Sequence, residues 1–104
     1  MVEVELTKNG FDECVKHDFC VVDFFAEWCM PCMMMSPVIE DLAERFKKVN
    51  FAKINIDDTP EVAEKLGVMS IPCLIFFKKG KEVERLIGMQ PEEVLEEKIK
   101  SFLK

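Results

Sequence analysis

Cys29 and Cys32 stand with two residues between them in the run WCMPCMMMSP, Trp28 to Pro37. A pair at this spacing can exchange disulfides, supply half of a tetrahedral metal site, or simply open a helix as two inert thiols. A closed metal site needs two further ligands. The chain has no second Cys-x-x-Cys and a single histidine, His17. Redox chemistry asks for less: one thiol attacks a disulfide and the other resolves the mixed disulfide. Asp23, six residues before Cys29, interrupts the apolar run CVVDFFA. A carboxylate buried there should have a raised pKa, fit to move a proton to or from Cys32. A structural aspartate that bonds loop amides is the alternative.

The flanking elements decide where these groups sit. CVVDFFA, Cys20 to Ala26, is apolar on both faces, as in a central strand covered from both sides. A long helix follows the cysteine pair, with the stripe Met35, Val38, Ile39, Leu42, Phe46 and Val49 at three- and four-residue spacing. Pro37 lies inside it and should kink it. Cys29 then falls at the helix N-terminus, where the dipole and free N–H groups favour a thiolate. Cys32 lies one turn on, within reach of its sulfur.

The remaining elements alternate. VEVEL (2–6) reads as a half-exposed strand, and Thr7 can cap a short helix burying Phe11, Cys14 and Val15. FAKINI (51–56) is the next strand. Thr59 and Pro60 open a short helix that Gly67 ends. CLIFFK and EVERLI flank the turn KKGK as a hairpin. The last helix starts at Pro91 and buries Val94, Leu95, Ile99, Phe102 and Leu103. The order β-α-β-α-β-α-β-β-α predicts an α/β domain over 1–104. It has a mostly parallel sheet, helices on both faces and one antiparallel edge strand.

Composition narrows the function classes. Of 104 residues, 49 % are hydrophobic and 33 % charged, enough to build a core, and the net charge is −6. An acidic chain without a basic patch is poorly suited to nucleic acid or an anionic membrane. The N-terminus has no basic segment followed by an apolar one, and no uncharged run is long enough to span a bilayer. The expected location is the cytoplasm, where thiols stay mostly reduced. Five cysteines are an odd number, which speaks against a purely structural disulfide framework.

VVDFFAEWCMPC closely resembles the active-site segment of the thioredoxin family, usually written VDFWAxWCGPC. FAKINIDDTPEVAEKLGVMSIPCLIFFKKGK is similar to that family's second signature, which runs through a cis-proline to a hairpin turn. The resemblance covers nearly the whole chain. It implies a thioredoxin fold, a mixed, mostly parallel sheet of about five strands between helices. It also implies a protein-disulfide reductase that needs no cofactor beyond its own disulfide. In that reading Cys29 is the nucleophile, Cys32 resolves, Asp23 serves as the buried carboxylate and Lys53 interacts with it. Trp28, Met30, Pro31, Ile71, Pro72 and Gly88 border the substrate, with the Ile71 backbone pairing to an extended substrate chain. The implied partners are protein disulfides and a thioredoxin reductase, and the implied state is a monomer.

Two positions depart from the family pattern. Met30 replaces the usual glycine, and residues inside the Cys-x-x-Cys influence reduction potential. Met33 or Met34 could join Met30, Met69 and Met89 in a soft docking surface. Cys73 stands where threonine is usual and is expected near the cysteine pair. It is either an inert core thiol or the third ligand of a metal or iron–sulfur site with Cys29 and Cys32. The other alternative is a glutaredoxin-like or isomerase-like oxidoreductase on the same fold.

Overall fold

A computed structural model of the chain describes residues 4–5 and 8–104, with side chains from residue 10 onward. The elements follow the expected order: β1 (Val4–Glu5), α1 (Lys8–Cys14), β2 (Phe19–Phe25), α2 (Met30–Arg45), β3 (Asn50–Asn55), α3 (Pro60–Lys65), β4 (Cys73–Lys78), β5 (Lys81–Ile87) and α4 (Glu92–Phe102). The expected cap at Thr7 and most of the strand 2–6 lie outside the described residues.

The five strands form one sheet in the order β1-β3-β2-β4-β5. β1 and β2 both pair parallel to β3. β4 runs antiparallel to β2 and to β5. The expectation of a mostly parallel sheet with one antiparallel edge strand is therefore corrected, because antiparallel pairing begins at the centre. Helix length supplies the reason. α3 has six residues, about 9 Å at ~1.5 Å per residue, while a six-residue strand spans about 20 Å. α3 alone is too short to carry the chain back along β3, and residues 66–72 that follow it stay at the same end of the sheet. The chain re-enters the sheet from the end at which it left. Lys79 and Gly80, with φ of 52° and 86°, then make the two-residue turn into β5.

Alternation along the strands builds a core on each face. Val21, Phe51, Leu74 and Phe76 pack with Met35, Ile39 and Leu42 of α2 and with Leu95, Ile99 and Phe102 of α4. Cys20, Val22, Phe24, Ile54, Cys73, Ile75 and Phe77 pack on the other face with Phe11, Val62 and Ala63. The ring of Phe102 meets those of Phe19 and Phe76 edge-on, at centroid distances of 5.2 and 5.3 Å.

Two details of the helix stripes differ from expectation. α2 ends at Arg45, so Val49 is buried from the turn that leads into β3 rather than from the helix. Val94 is exposed, because Leu95, Ile99 and Phe102 already fill the inner face of α4. Pro37 lies inside α2 and removes one helical N–H without ending the helix. Ile39, 1 % exposed, lies at the middle of the α2 stripe. Ile39→Val is expected to lower stability by about 0.5–1.5 kcal/mol, read as a lower urea midpoint at unchanged slope.

Candidate active site

β2 and α2 set the thiol pair. Phe25 is the last residue of β2, and a short loop bends back so that the Cys29 N–H donates to the Ala26 carbonyl at 3.2 Å. Cys29 is the N-cap of α2, with extended backbone at φ −92° and ψ 103°. Its Sγ accepts from the backbone N–H of Cys32 at 3.2 Å. That N–H and the dipole of a sixteen-residue helix favour negative charge on the sulfur. Pro31, within the first turn, lacks an N–H where none is needed. Cys29 and Cys32 are joined as a disulfide, with their Cα atoms 5.3 Å apart. Both are buried, at 5 % and 2 % exposure.

Behind Cys32 lies a cavity of about 280 Å³ lined by Asp23, Phe25, Glu27, Cys32, Met33, Ser36, Lys53, Asn55 and Asp58. Strand register brings its polar groups together. Asp23 of β2 lies opposite Lys53 of β3, and strand alternation turns both toward α2. Asp23 is 5 % exposed. The Lys53 ammonium lies 5.3 Å from the centre of the Phe25 ring, a cation–π distance. A polar space of this size accommodates water.

The loop before β4 meets the thiol pair itself, with Ile71 packed against the cluster of Phe25, Ala26, Cys29 and Cys32. The Ile71–Pro72 peptide is cis, and Cys73 pairs with Phe24 near the end of β2 that leads to Cys29. Gly88, at φ +87°, donates its N–H to the Pro72 carbonyl at 2.8 Å and ties the end of β5 to this loop. A Cβ at Gly88 would meet no atom within 4 Å, so only the backbone conformation demands glycine. Gly88→Ala is expected to cost about 1–2 kcal/mol, seen as a lower thermal midpoint with the Cys29–Cys32 disulfide still able to form.

The rim is apolar and open. Trp28 is 68 % exposed, and its indole N–H donates to an Asp57 carboxylate oxygen at 2.9 Å. Asn55 orders that loop by accepting the Asp57 N–H. Met30, Met33, Met34, Met69, Ile87 and Met89 are exposed, whereas Met35 lies in the core. Sequence reasoning missed Glu27, Ser36, Asn55, Asp57 and Asp58. A polar Asn at the inner end of an apolar strand was the available signal for Asn55.

Of its two readings, Cys73 is the buried core thiol that starts β4. Its side chain belongs to the core layer under α1 and α3, while Cys29 and Cys32 cluster with Phe25 and Ala26. Burial pushes the Cys73 thiol upward. Cys73 and the pair Cys29 and Cys32 thus belong to different core clusters. Among the described residues, no group of three or more His, Cys, Asp or Glu is placed to hold a metal ion.

A dithiol at a helix N-terminus, opened by reduction and closed by oxidation, exchanges one disulfide for another. The sheet and this pair define a thiol–disulfide oxidoreductase of the α/β class. The chain belongs to the thioredoxin family, whose model, described as thioredoxin, matches residues 2–101. It is 48 % identical over 100 residues to a thioredoxin of Alicyclobacillus acidocaldarius, covering 94 % of this chain and 95 % of that protein. Among solved structures it is similar to a mutant thioredoxin from Halobacterium salinarum, with a TM-score of 0.93 and 33 % identity. That match covers 99 % of this chain and 92 % of the other. A chain from a structure on thiol resolution in yeast mitochondrial 1-Cys peroxiredoxin via glutathione/thioredoxin systems matches at TM-score 0.88 and 32 % identity. It covers 95 % of this chain and 94 % of that one. The protein is thus a protein-disulfide reductase with a redox-active Cys29–Cys32 pair.

Proposed function

We propose that Cys29 is the attacking sulfur and Cys32 the resolving one, within a single working domain of residues 1–104. The Cys29 thiolate attacks one sulfur of a protein disulfide, the substrate S–S bond breaks, and a substrate thiolate leaves. Cys32 then gives its proton, through water in the cavity, to the Asp23 carboxylate. Its sulfur attacks Cys29, the mixed disulfide breaks, and the second substrate thiolate leaves. Two electrons have passed to the substrate and the Cys29–Cys32 disulfide remains. Lys53, across from Asp23, steadies the charge of that carboxylate. The position of Cys29 as N-cap, its sulfur receiving the Cys32 N–H, carries this assignment.

Substrate binding falls to the rim. The Ile71 backbone before the cis bond pairs with an extended segment of the partner, and Trp28, Met30, Pro31 and Gly88 border it. The thioethers of Met34, Met69 and Met89 supply a deformable apolar surface that suits partners of varied shape. A flavin-dependent thioredoxin reductase recycles the oxidised form. The protein works in the cytoplasm as a monomer, and among the described residues no helix is long and apolar enough to cross a membrane.

The test is reduction of insulin's interchain disulfides, with a small dithiol as the electron source. Multiple turnovers per protein molecule are expected, with a Cys29–Cys32 potential more reducing than the glutathione pool. A potential well on the oxidising side, or turnover only with glutathione, would overturn electron flow from this protein to its substrates.

A further inference from the structure

Glu82 and Arg85 of β5 are three positions apart. Strand alternation alone would send them to opposite sides of the sheet. A β-bulge brings them together. Phe76 pairs with Glu84 and Phe77 with Glu82, so Val83 is the extra residue. Glu82, opposite Phe77, and Arg85, opposite Ile75, therefore share the side that packs on Val62 and Ala63 of α3. Arg85 Nε and Nη2 donate to the two Glu82 carboxylate oxygens, each at 2.9 Å. This side-on fork fixes the plane of the guanidinium. Its outer edge meets the end of α3. Nη2 also donates to the Leu66 carbonyl at 2.7 Å, and Nη1 lies 3.5 Å from the Gly67 carbonyl oxygen. The helix itself closes with N–H bonds from Gly67 to Glu64 and from Val68 to Ala63, which use earlier carbonyls.

We propose that Arg85 is a positioning residue for protein substrates: braced by Glu82, it locks the start of segment 66–72, which presents Ile71 to the partner. The other end of the segment is tied by the Gly88 N–H to the Pro72 carbonyl at 2.8 Å. One strand and the residue after it thus hold both ends, and Met69 and Ser70 stand exposed between them. Without the guanidinium the first tie is lost, and the segment samples arrangements in which Ile71 does not face an incoming chain. Apparent affinity falls with the fraction still correctly placed, while a seated substrate meets the same thiols. The proposal rests on the reading of Ile71 as the docking edge and adds what keeps that edge in place.

The experiment compares insulin reduction by the unaltered protein and by Arg85→Gln, with a small dithiol as electron source. KM for insulin should rise about 3- to 10-fold, the range that one hydrogen bond supplies, with kcat within about twofold. The rate at which pre-reduced protein reduces dithionitrobenzoate, a small aromatic disulfide with no peptide chain, should not change. Amide hydrogens of Val68 and Gly88 should exchange faster, with those of β2 unchanged. Arg85→Lys, which keeps the charge and one donor, should fall between the two proteins. Should Arg85→Gln not fold, Glu82→Gln, which leaves one acceptor in place of two at an exposed side chain, should raise KM in the same direction. Ile39→Val, less stable at a distance from the segment, should keep the original KM. An unchanged KM in Arg85→Gln, an equal rise in Ile39→Val, or an equal loss of rate toward both disulfides would each overturn the proposal. Met69→Glu charges the exposed middle of the segment and should also raise KM. If it does and Arg85→Gln does not, the role of Arg85 falls and docking at Ile71 stands. If neither does, both fall.

Discussion

Cys29→Ser is expected to abolish insulin reduction, leaving the rate of the dithiol alone, a loss of at least about 10³-fold. The serine hydroxyl fits the N-cap and can still accept from the Cys32 N–H that now reaches Sγ at 3.2 Å. Folding is therefore retained and the loss is chemical, since an alcohol does not form a disulfide. Cys32→Ser should behave differently. The attacking thiol remains, but the resolving step is gone, so the variant accumulates as a stable adduct with its substrate. Intact mass of the non-reduced mixture reads the adduct, and one reductant wash removes it. The two variants together assign the roles. Trapping by Cys29→Ser instead of Cys32→Ser would exchange them.

Asp23→Asn is the second large effect. The amide nearly matches the carboxylate in shape but cannot take a proton from Cys32. General acid–base contributions run about 10²–10⁴-fold. The low end is expected for this carboxylate, about 10² in turnover near neutral pH, because water in the 280 Å³ cavity behind Cys32 offers a poorer route. The deficit should shrink as pH rises, since hydroxide removes the same proton unaided. A parallel drop at every pH would mean that Asp23 acts through packing. Turnover measured from about pH 6 to about pH 9 in both proteins distinguishes the two.

Much of this site could be read from the chain because its signals are local. Cys29 and Cys32 lie one turn apart on an amphipathic helix, and Asp23 stands out in an apolar strand. Alternation and turn chemistry set the order of elements to within a residue or two, from Asn50–Asn55 to the Lys79–Gly80 turn. The direction of β4 was less legible, because it depends on where α3 and residues 66–72 leave the chain and not on any pattern within β4. The metal-ligand alternative for Cys73 fails for a related reason. Adjacency to Pro72 brings its backbone to the end of β2, and the two-residue period of the strand turns its side chain into the layer with Phe24 and Ile75. The cavity behind Cys32 was invisible because its walls come from β2, β3, α2 and the loop after β3, and only register brings them together.

The antiparallel pairing of β4 with β2 has a temporal consequence. Pro72 lies 43 positions after Cys29. At ~5–20 residues per second, the ribosome takes roughly 2–9 s to add the chain between them. During that interval both sulfurs exist while the segment that walls them in is still being made. The paired cysteines become a shaped site only when the last third of the polypeptide has joined the sheet. Until then they are ordinary thiols, open to any disulfide that a growing chain meets.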